Sequence, residues 1–260
     1  MSKLLVSIIT VSFNSADTIA DTIRSVASQT YSRIEHIIID GASDDGTVEI
    51  IRSMMPYVSR FITEPDYGLY NGMNKGIMTA TGEIIGFLNS DDVFSDNNII
   101  QTIVDAFAVN EVNAVYGDVI YVDPEKSQKV VRYYSSGHFQ PGDFKYGFMP
   151  AHPSFYARKS MYDLIGFFKE DYKIAADFEM LVRFFKCGLL KPKYLPMPFV
   201  KMRTGGISNS SVKNRLLINK EILRACKENG IETNYLNILL RYFYKIFEFS
   251  RMQKNVKLHK

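Results

Sequence analysis

Glu83-Ile84-Ile85-Gly86-Phe87-Leu88-Asn89-Ser90-Asp91-Asp92 is a short apolar run that stops on an acidic turn. The run reads as a buried strand, and the polar group directly after it sits where an open α/β sheet binds ligands, at a strand's carboxyl end. Two adjacent carboxylates repel each other, so such a turn gains little from them unless a cation is shared. Mg²⁺ or Mn²⁺ takes oxygen ligands and is commonly held by one or two carboxylates together with substrate phosphates. The competing reading is a solvated turn whose Asp caps the next helix.

Working outward, Leu4–Val11 and Ile34–Ile39 are further apolar runs, the second ending at Asp40-Gly41. Helical spacing follows Asn14-Ser15 (Ile19, Ile23, Val26, Ala27), and helices are expected over 45–55, 69–80 and 96–109, with a strand over 58–63. Strands alternating with helices of these lengths predict a parallel, doubly wound sheet. After residue 110 the rhythm changes. Strands are expected over 112–122, 129–134 and 194–202, a Gly- and aromatic-rich loop over 135–149, and a helix over 177–186. Residues 212–251 read as two helices broken near Gly230.

Composition is that of an ordinary globular chain, with 46% hydrophobic and 23% charged residues among 260. The net charge of +3 is unevenly spread: residues 212–260 carry 11 Lys and Arg against 4 Glu, net +7, leaving the rest at −4. A main domain over 1–211 and a basic, aromatic-rich helical tail over 212–260 are therefore expected. The tail's second helix, Tyr235–Met252, collects Leu236, Leu239, Leu240, Phe243, Ile246 and Phe247 on one side. That suits a helix lying in a membrane interface, or one packed on the main domain or on a second copy. Cys187 and Cys226 have no metal-type spacing and fit a reducing compartment. With no secretory leader and no run long enough to span a bilayer, the chain is expected in the cytoplasm.

The loop Asp40-Gly41-Ala42-Ser43-Asp44-Asp45-Gly46-Thr47 adds a second polar strand end. Asp40 can accept a hydrogen bond from a base or ribose, the glycines permit sharp turns, and Asp45 can cap the next helix. A capping loop accounts for Ser43–Thr47 but not for Asp40. The four histidines form no cluster of zinc ligands.

These motifs together resemble the inverting glycosyltransferases of family two, which have the GT-A fold: a mostly parallel α/β sheet flanked by helices, here with a C-terminal helical extension. Thr10-Val11-Ser12-Phe13-Asn14 is similar to their opening segment. D-G-A-S-D-D-G-T is similar to their D-D-G-S-x-D-G-T, and N-S-D-D to their D-x-D-D, with Asn89 in place of the first Asp. Glu64–Gly76, His152-Pro153-Ser154 and Arg203-Thr204-Gly205-Gly206-Ile207-Ser208 are similar to a branch acting in bacterial exopolysaccharide and O-antigen synthesis. Met73 stands where many relatives have Arg, and Ala176 replaces the Glu that usually precedes the base.

The resemblance implies a nucleotide-diphosphate sugar donor, UDP-linked above all, and a saccharide or lipid-linked saccharide acceptor, with no nucleic acid partner. It implies Mn²⁺ or Mg²⁺ at Asp91 and Asp92, with Asp91 also at the ribose-diphosphate. Thr10, Ser12, Asp40 and Asp66 would hold the donor, with Glu64 nearby, and Asp177 would be the catalytic base. His152 would contact the acceptor or the metal, and the Gly-Gly loop that begins at Arg203 would close over the donor phosphates, with Arg203 an acceptor or loop contact. Two other classes compete: a nucleotide-sugar-binding module without turnover, and a nucleotidyltransferase. Residues 12–20 hold no Gly, Lys or Arg, which counts against a nucleotidyltransferase phosphate loop.

Overall fold

The computed structural model describes residues 4–109, 111–123, 129–204 and 212–241. Its first half alternates as expected: β1 (Val6–Ser12), α1 (Ile19–Ala27), β2 (Ile34–Asp40), α2 (Thr47–Ser53), β3 (Arg60–Thr63), α3 (Leu69–Thr79) and β4 (Ile84–Phe87). Then come β5 (Val93–Phe94), α4 (Ile99–Phe107), β6 (Ala114–Val122), β7 (Val130–Tyr134), β8 (Tyr156–Arg158), α5 (Lys159–Ile165), α6 (Ala176–Lys186), β9 (Pro192–Arg203) and α7 (Val212–Glu228).

One sheet runs in the order β3-β2-β1-β4-β8-β6-β9-β5, with β7 on β6. From β3 to β4 every pairing is parallel, as expected. Beyond β4 the sheet is mixed: β8 runs antiparallel to both β4 and β6, β6 is parallel to β9, β7 is antiparallel to β6 and β5 is antiparallel to β9. Connection length accounts for the β6–β7 pairing. A parallel partner needs a crossover of a dozen or more residues, and the short link from β6 to β7 permits only a hairpin.

Alternation along the central strands splits the core between the faces. Ile9, Val11, Ile37 and Ile39 pack with Tyr70, Met73 and Ile77 of α3 and with α6 and α7. Val6 and Ile8 pack with Ile99, Ile100 and Ile103 of α4. α3 lies very close to β1: a Cβ on Gly72 would stand 2.7 Å from Val11 Cγ1, and one on Gly76 would collide with Ile9.

α7 contributes Ile222, Ala225 and Cys226 to the core cluster that holds Phe178 and Leu181 of α6. It ends as expected near Gly230, whose φ of 65° is left-handed and lets Ile231 N–H return to the Cys226 carbonyl at 2.8 Å. Residues 235–241 are again helical. The rest of the predicted tail helix and Gly205-Gly206 lie outside the described residues. No helix among the described residues is long and apolar enough to cross a membrane.

Candidate active site

Parallel register builds the first polar cluster. Ser12 pairs with Asp40, and Asp40 with Thr63, so three polar residues end three neighbouring strands at one level. Asp40 is fully buried. Its Oδ1 accepts from Ser12 Oγ (3.0 Å) and Ser43 Oγ (2.6 Å), and its Oδ2 from Ser43 N (3.0 Å) and Thr63 Oγ1 (2.9 Å). Four donors occupy about four lone-pair sites. In this arrangement Asp40 organises the loop, and any ligand donor would have to displace or share one of the hydroxyls. Ala42 adopts φ 60°, a left-handed geometry where glycine is more comfortable. Asp45 accepts from Thr47 N–H, the first residue of α2, at 3.0 Å and from Ala16 N–H at 3.0 Å. Together with a bond from the Thr47 hydroxyl at 2.6 Å, the largest cause, they hold its carboxyl below the usual range.

Thr10 is buried one step inside, its hydroxyl 3.1 Å from His36 Nε2. Desolvation depresses His36 to about 4, so that ring is neutral. Asp66 reaches back over the loop: a Cβ on Gly41 would lie 2.9 Å from Asp66 Oδ2 and 3.3 Å from the Phe13 ring. Gly68 N–H donates to Asp66 Oδ1 at 2.9 Å. Glu64 pairs with Lys75 at 2.7 Å, so Lys75 neutralises a neighbour. Phe13, absent from the expected site, is 65% exposed at the end of β1 beside Gly41 and Asp66. The available signal was an aromatic side chain placed among polar turn residues.

The acidic turn is the second cluster. Asn89 Nδ2 donates to Asp92 Oδ2 at 2.9 Å, Thr22 Oγ1 to the Asp92 carbonyl at 2.8 Å, and Ser90 Oγ lies 2.8 Å from Ser15 Oγ. Asp92 is buried and Asp91 half-buried. Desolvation raises both carboxyls, Asp92 well above the ordinary range with Asp91's charge adding to it. Arg203 lies near enough to oppose both shifts while its guanidinium bonds Asp21 at 2.7 Å. The helix-cap reading of this turn fails, because α4 starts only at Ile99 after Asn98. No group of three or more protein ligands occurs among the described residues. Two hard oxygen donors on one turn suit Mg²⁺ or Mn²⁺ held jointly with phosphate oxygens, which is how such ions are usually bound.

Asp177 forms the third corner. It lies in the first turn of α6, inside the helix and not at its cap, which is Ala175. Phe178 N–H donates to Asp177 Oδ1 at 2.8 Å, and the Tyr70 hydroxyl also donates to it. Burial raises the Asp177 carboxyl, with His152 the largest opposing influence. His152 is itself lowered by burial and stacks on Phe87 at 5.7 Å between ring centres. Phe87 stands two residues before Asn89, so the ring pair links the acidic turn to Asp177. Tyr70 was not among the expected site residues. Only folding brings α3 to α6.

Carboxylates at the carboxyl ends of a doubly wound half-sheet, faced by one more on a helix start, fit an α/β protein of GT-A architecture. The chain belongs to glycosyl transferase family 2, whose family model matches residues 7–176. A 104-residue stretch is 42% identical to an uncharacterised glycosyltransferase of Mycobacterium tuberculosis, covering 40% of each chain. Over 222 residues the chain is 26% identical to a PGL/p-HBAD biosynthesis glycosyltransferase of Mycobacterium bovis, covering 84% of each. It therefore spans less than half the length of the first of these relatives.

Among solved structures, Staphylococcus aureus TarS with UDP superposes with a TM-score of 0.63 at 16% identity, over 96% of this chain and 73% of that one. A mannosyltransferase from Pyrobaculum calidifontis, with GDP-Man and Mn²⁺, gives 0.64 at 17%, over 90% and 66%. Both likenesses are of fold.

Proposed function

We propose that the protein transfers a sugar from a nucleotide-diphosphate sugar, UDP-linked, to a hydroxyl of a saccharide or lipid-linked saccharide in surface polysaccharide synthesis, with inversion at the anomeric carbon. The observation that carries this reading is Asp177: a half-buried carboxylate oriented by Tyr70 and the Phe178 N–H, across the His152–Phe87 ring pair from a separate acidic turn. Burial makes Asp177 a stronger base than an ordinary carboxylate, which suits proton removal near neutral pH. Asp177 takes the acceptor's proton as its oxygen attacks the anomeric carbon from the face opposite the diphosphate. No covalent enzyme intermediate is required.

Asp91 and Asp92 would hold Mn²⁺ or Mg²⁺, which when bound neutralises charge on the departing diphosphate. Phe13 offers an exposed ring for the nucleobase, beside the Asp40 loop. Asp66 lines the same end, and Arg203 supplies positive charge at the acidic turn. The complexes of the neighbours with UDP, UDP-GlcNAc and GDP-Man support the donor class.

The acceptor reading draws on the C-terminal helices. Residues 235–241 bury Ile238 and Arg241 but expose Tyr235, Leu236, Leu239 and Leu240. Lys213, Leu216, Lys220 and Lys227 recur at helical spacing on the exposed side of α7. An apolar face beside a cationic one suits the anionic cytoplasmic surface of a membrane. The test is a panel of nucleotide sugars with Mn²⁺ and candidate acceptors. Release of nucleoside diphosphate that depends on both acceptor and Asp177 supports the enzyme; tight donor binding without release favours a non-catalytic module of the same fold.

A further inference from the structure

Asp177 is reached through an irregular stretch. Residues 166–175 form neither helix nor strand between α5 and α6. Such a segment has no backbone ladder of its own, so its position depends on what side chains hold it. Asn74 of α3 holds the early part, donating to the Phe168 carbonyl and accepting from the Phe168 N–H, both at 2.9 Å. The late part is held from α7. Glu221, buried, accepts from three consecutive backbone N–H groups: Lys173 at 2.7 Å, Ile174 at 2.9 Å and Ala175 at 2.8 Å.

Those three donors end two residues before Asp177. Ala175 is the cap residue of α6 and makes no side-chain cap bond, since alanine has no acceptor to offer. Glu221 supplies from 46 residues downstream what the local sequence lacks. Around it, α7 is fastened to the same stretch: Arg224 pairs with Asp171, and Glu228 bonds Lys169 at 2.8 Å and the Tyr172 hydroxyl at 3.0 Å. Burial and the charges of Asp177 and Glu221 keep the Tyr70 phenol protonated, so it remains a donor to Asp177.

We infer that Glu221 is a positioning residue for the reaction: by gripping the backbone of residues 173–175 it sets where the Asp177 carboxylate stands. α7 lies beyond the segment matched by the family model, so this assigns the first C-terminal helix a part in the chemistry. The inference rests on the reading of Asp177 as the base.

Glu221→Gln keeps the side-chain shape but turns one acceptor into a donor that faces backbone N–H groups. The expected result is a kcat lowered roughly 10- to 100-fold, the order of loss that small misplacement of a catalytic group produces. Donor KM and the Kd for UDP with Mn²⁺ stay unchanged, because among the described residues the hydrogen bonds that hold the Asp40 and Asp92 carboxylates come from outside residues 166–175. The acidic limb of the kcat–pH profile moves toward lower pH as water reaches Asp177. Glu221→Asp, which keeps the charge but shortens the reach, carries the same expectation if the Gln variant does not fold. An unchanged kcat, or a kcat that falls only in step with nucleotide affinity, overturns the inference. Asp177→Asn is measured in parallel. If it transfers sugar at the parent rate, the base assignment itself is wrong; if it is inactive while both Glu221 variants keep full kcat, only the role of Glu221 is lost.

Discussion

Asn89 donates its side-chain amide to the buried Asp92 carboxylate across 2.9 Å, so the residue that replaces a common acid supplies a hydrogen bond to the acid that remains. Asn89→Ala leaves a buried acceptor short of a partner, at a cost of about 1–3 kcal/mol. A fall in thermal midpoint of roughly 2–4 °C per kcal/mol is expected for a chain near this size. Asn89→Asp instead sets a third carboxylate against Asp91 and Asp92. Its midpoint should fall without divalent ion and recover more than the parent's on adding Mn²⁺ with UDP. Scanning calorimetry with and without the ion decides this; equal gains in both proteins would remove Asn89 from the site.

Asp91→Ala and Asp92→Ala should each lower transfer by about 100-fold or more, a loss of roughly 2.7 kcal/mol or more in transition-state stabilisation. They should also weaken UDP binding in Mn²⁺ much more than UDP binding in a chelator. Titration calorimetry under the two conditions separates a cation site from a merely structural acidic turn. Near-parent turnover in both variants would sink the metal-site reading.

Phe13 is 65% exposed beside Gly41 and Asp66, a position that costs apolar exposure unless a flat ligand covers it. Phe13→Ala should cost about 1–3 kcal/mol of nucleotide affinity, the usual worth of a base–aromatic stack, while Phe13→Tyr keeps it. The loss should be nearly the same for UDP and for uridine, because the ring meets the base and not the phosphates. Unchanged Kd values for the Ala variant would show that the base lies elsewhere.

Local pattern carried most of what was legible in the sequence. The parallel half-sheet, the acidic turn after β4, the Asp40 loop and the break at Gly230 each depend on neighbours within a few residues. The two-residue β5 and three-residue β8 are too short to carry a period, so the mixed half of the sheet was not readable. Tyr70, Phe13 and Glu221 were missed for a different reason. Their significance lies in tertiary neighbours, such as the three N–H groups more than 40 residues from Glu221. Thr10 is the converse case: it has the right type and strand, but its hydroxyl is turned inward to His36.

Asp177 is the position where function and stability oppose each other. Burial raises its carboxyl in the folded protein, so the native state holds that proton to a higher pH than the unfolded chain does. Below the unfolded carboxylate range both states are protonated, and the group contributes nothing. As pH rises through that range the unfolded state ionises first, stability falls, and the loss levels off once the folded group has also ionised. Asp177→Asn cannot ionise, yet its amide oxygen still accepts from Phe178 N–H and Tyr70. The variant should therefore melt higher than the parent at pH 7, with the gain shrinking to nothing as pH falls below the unfolded carboxylate range. Over the same pH interval the parent's kcat should rise with pH, its limb displaced above the ordinary carboxylate position, while the variant binds UDP normally and transfers no sugar. Melting curves and rates across one pH series test both halves together, and an Asn variant that melts lower than the parent at pH 7 would mean that the Asp177 carboxylate serves the first turn of α6 and not the reaction.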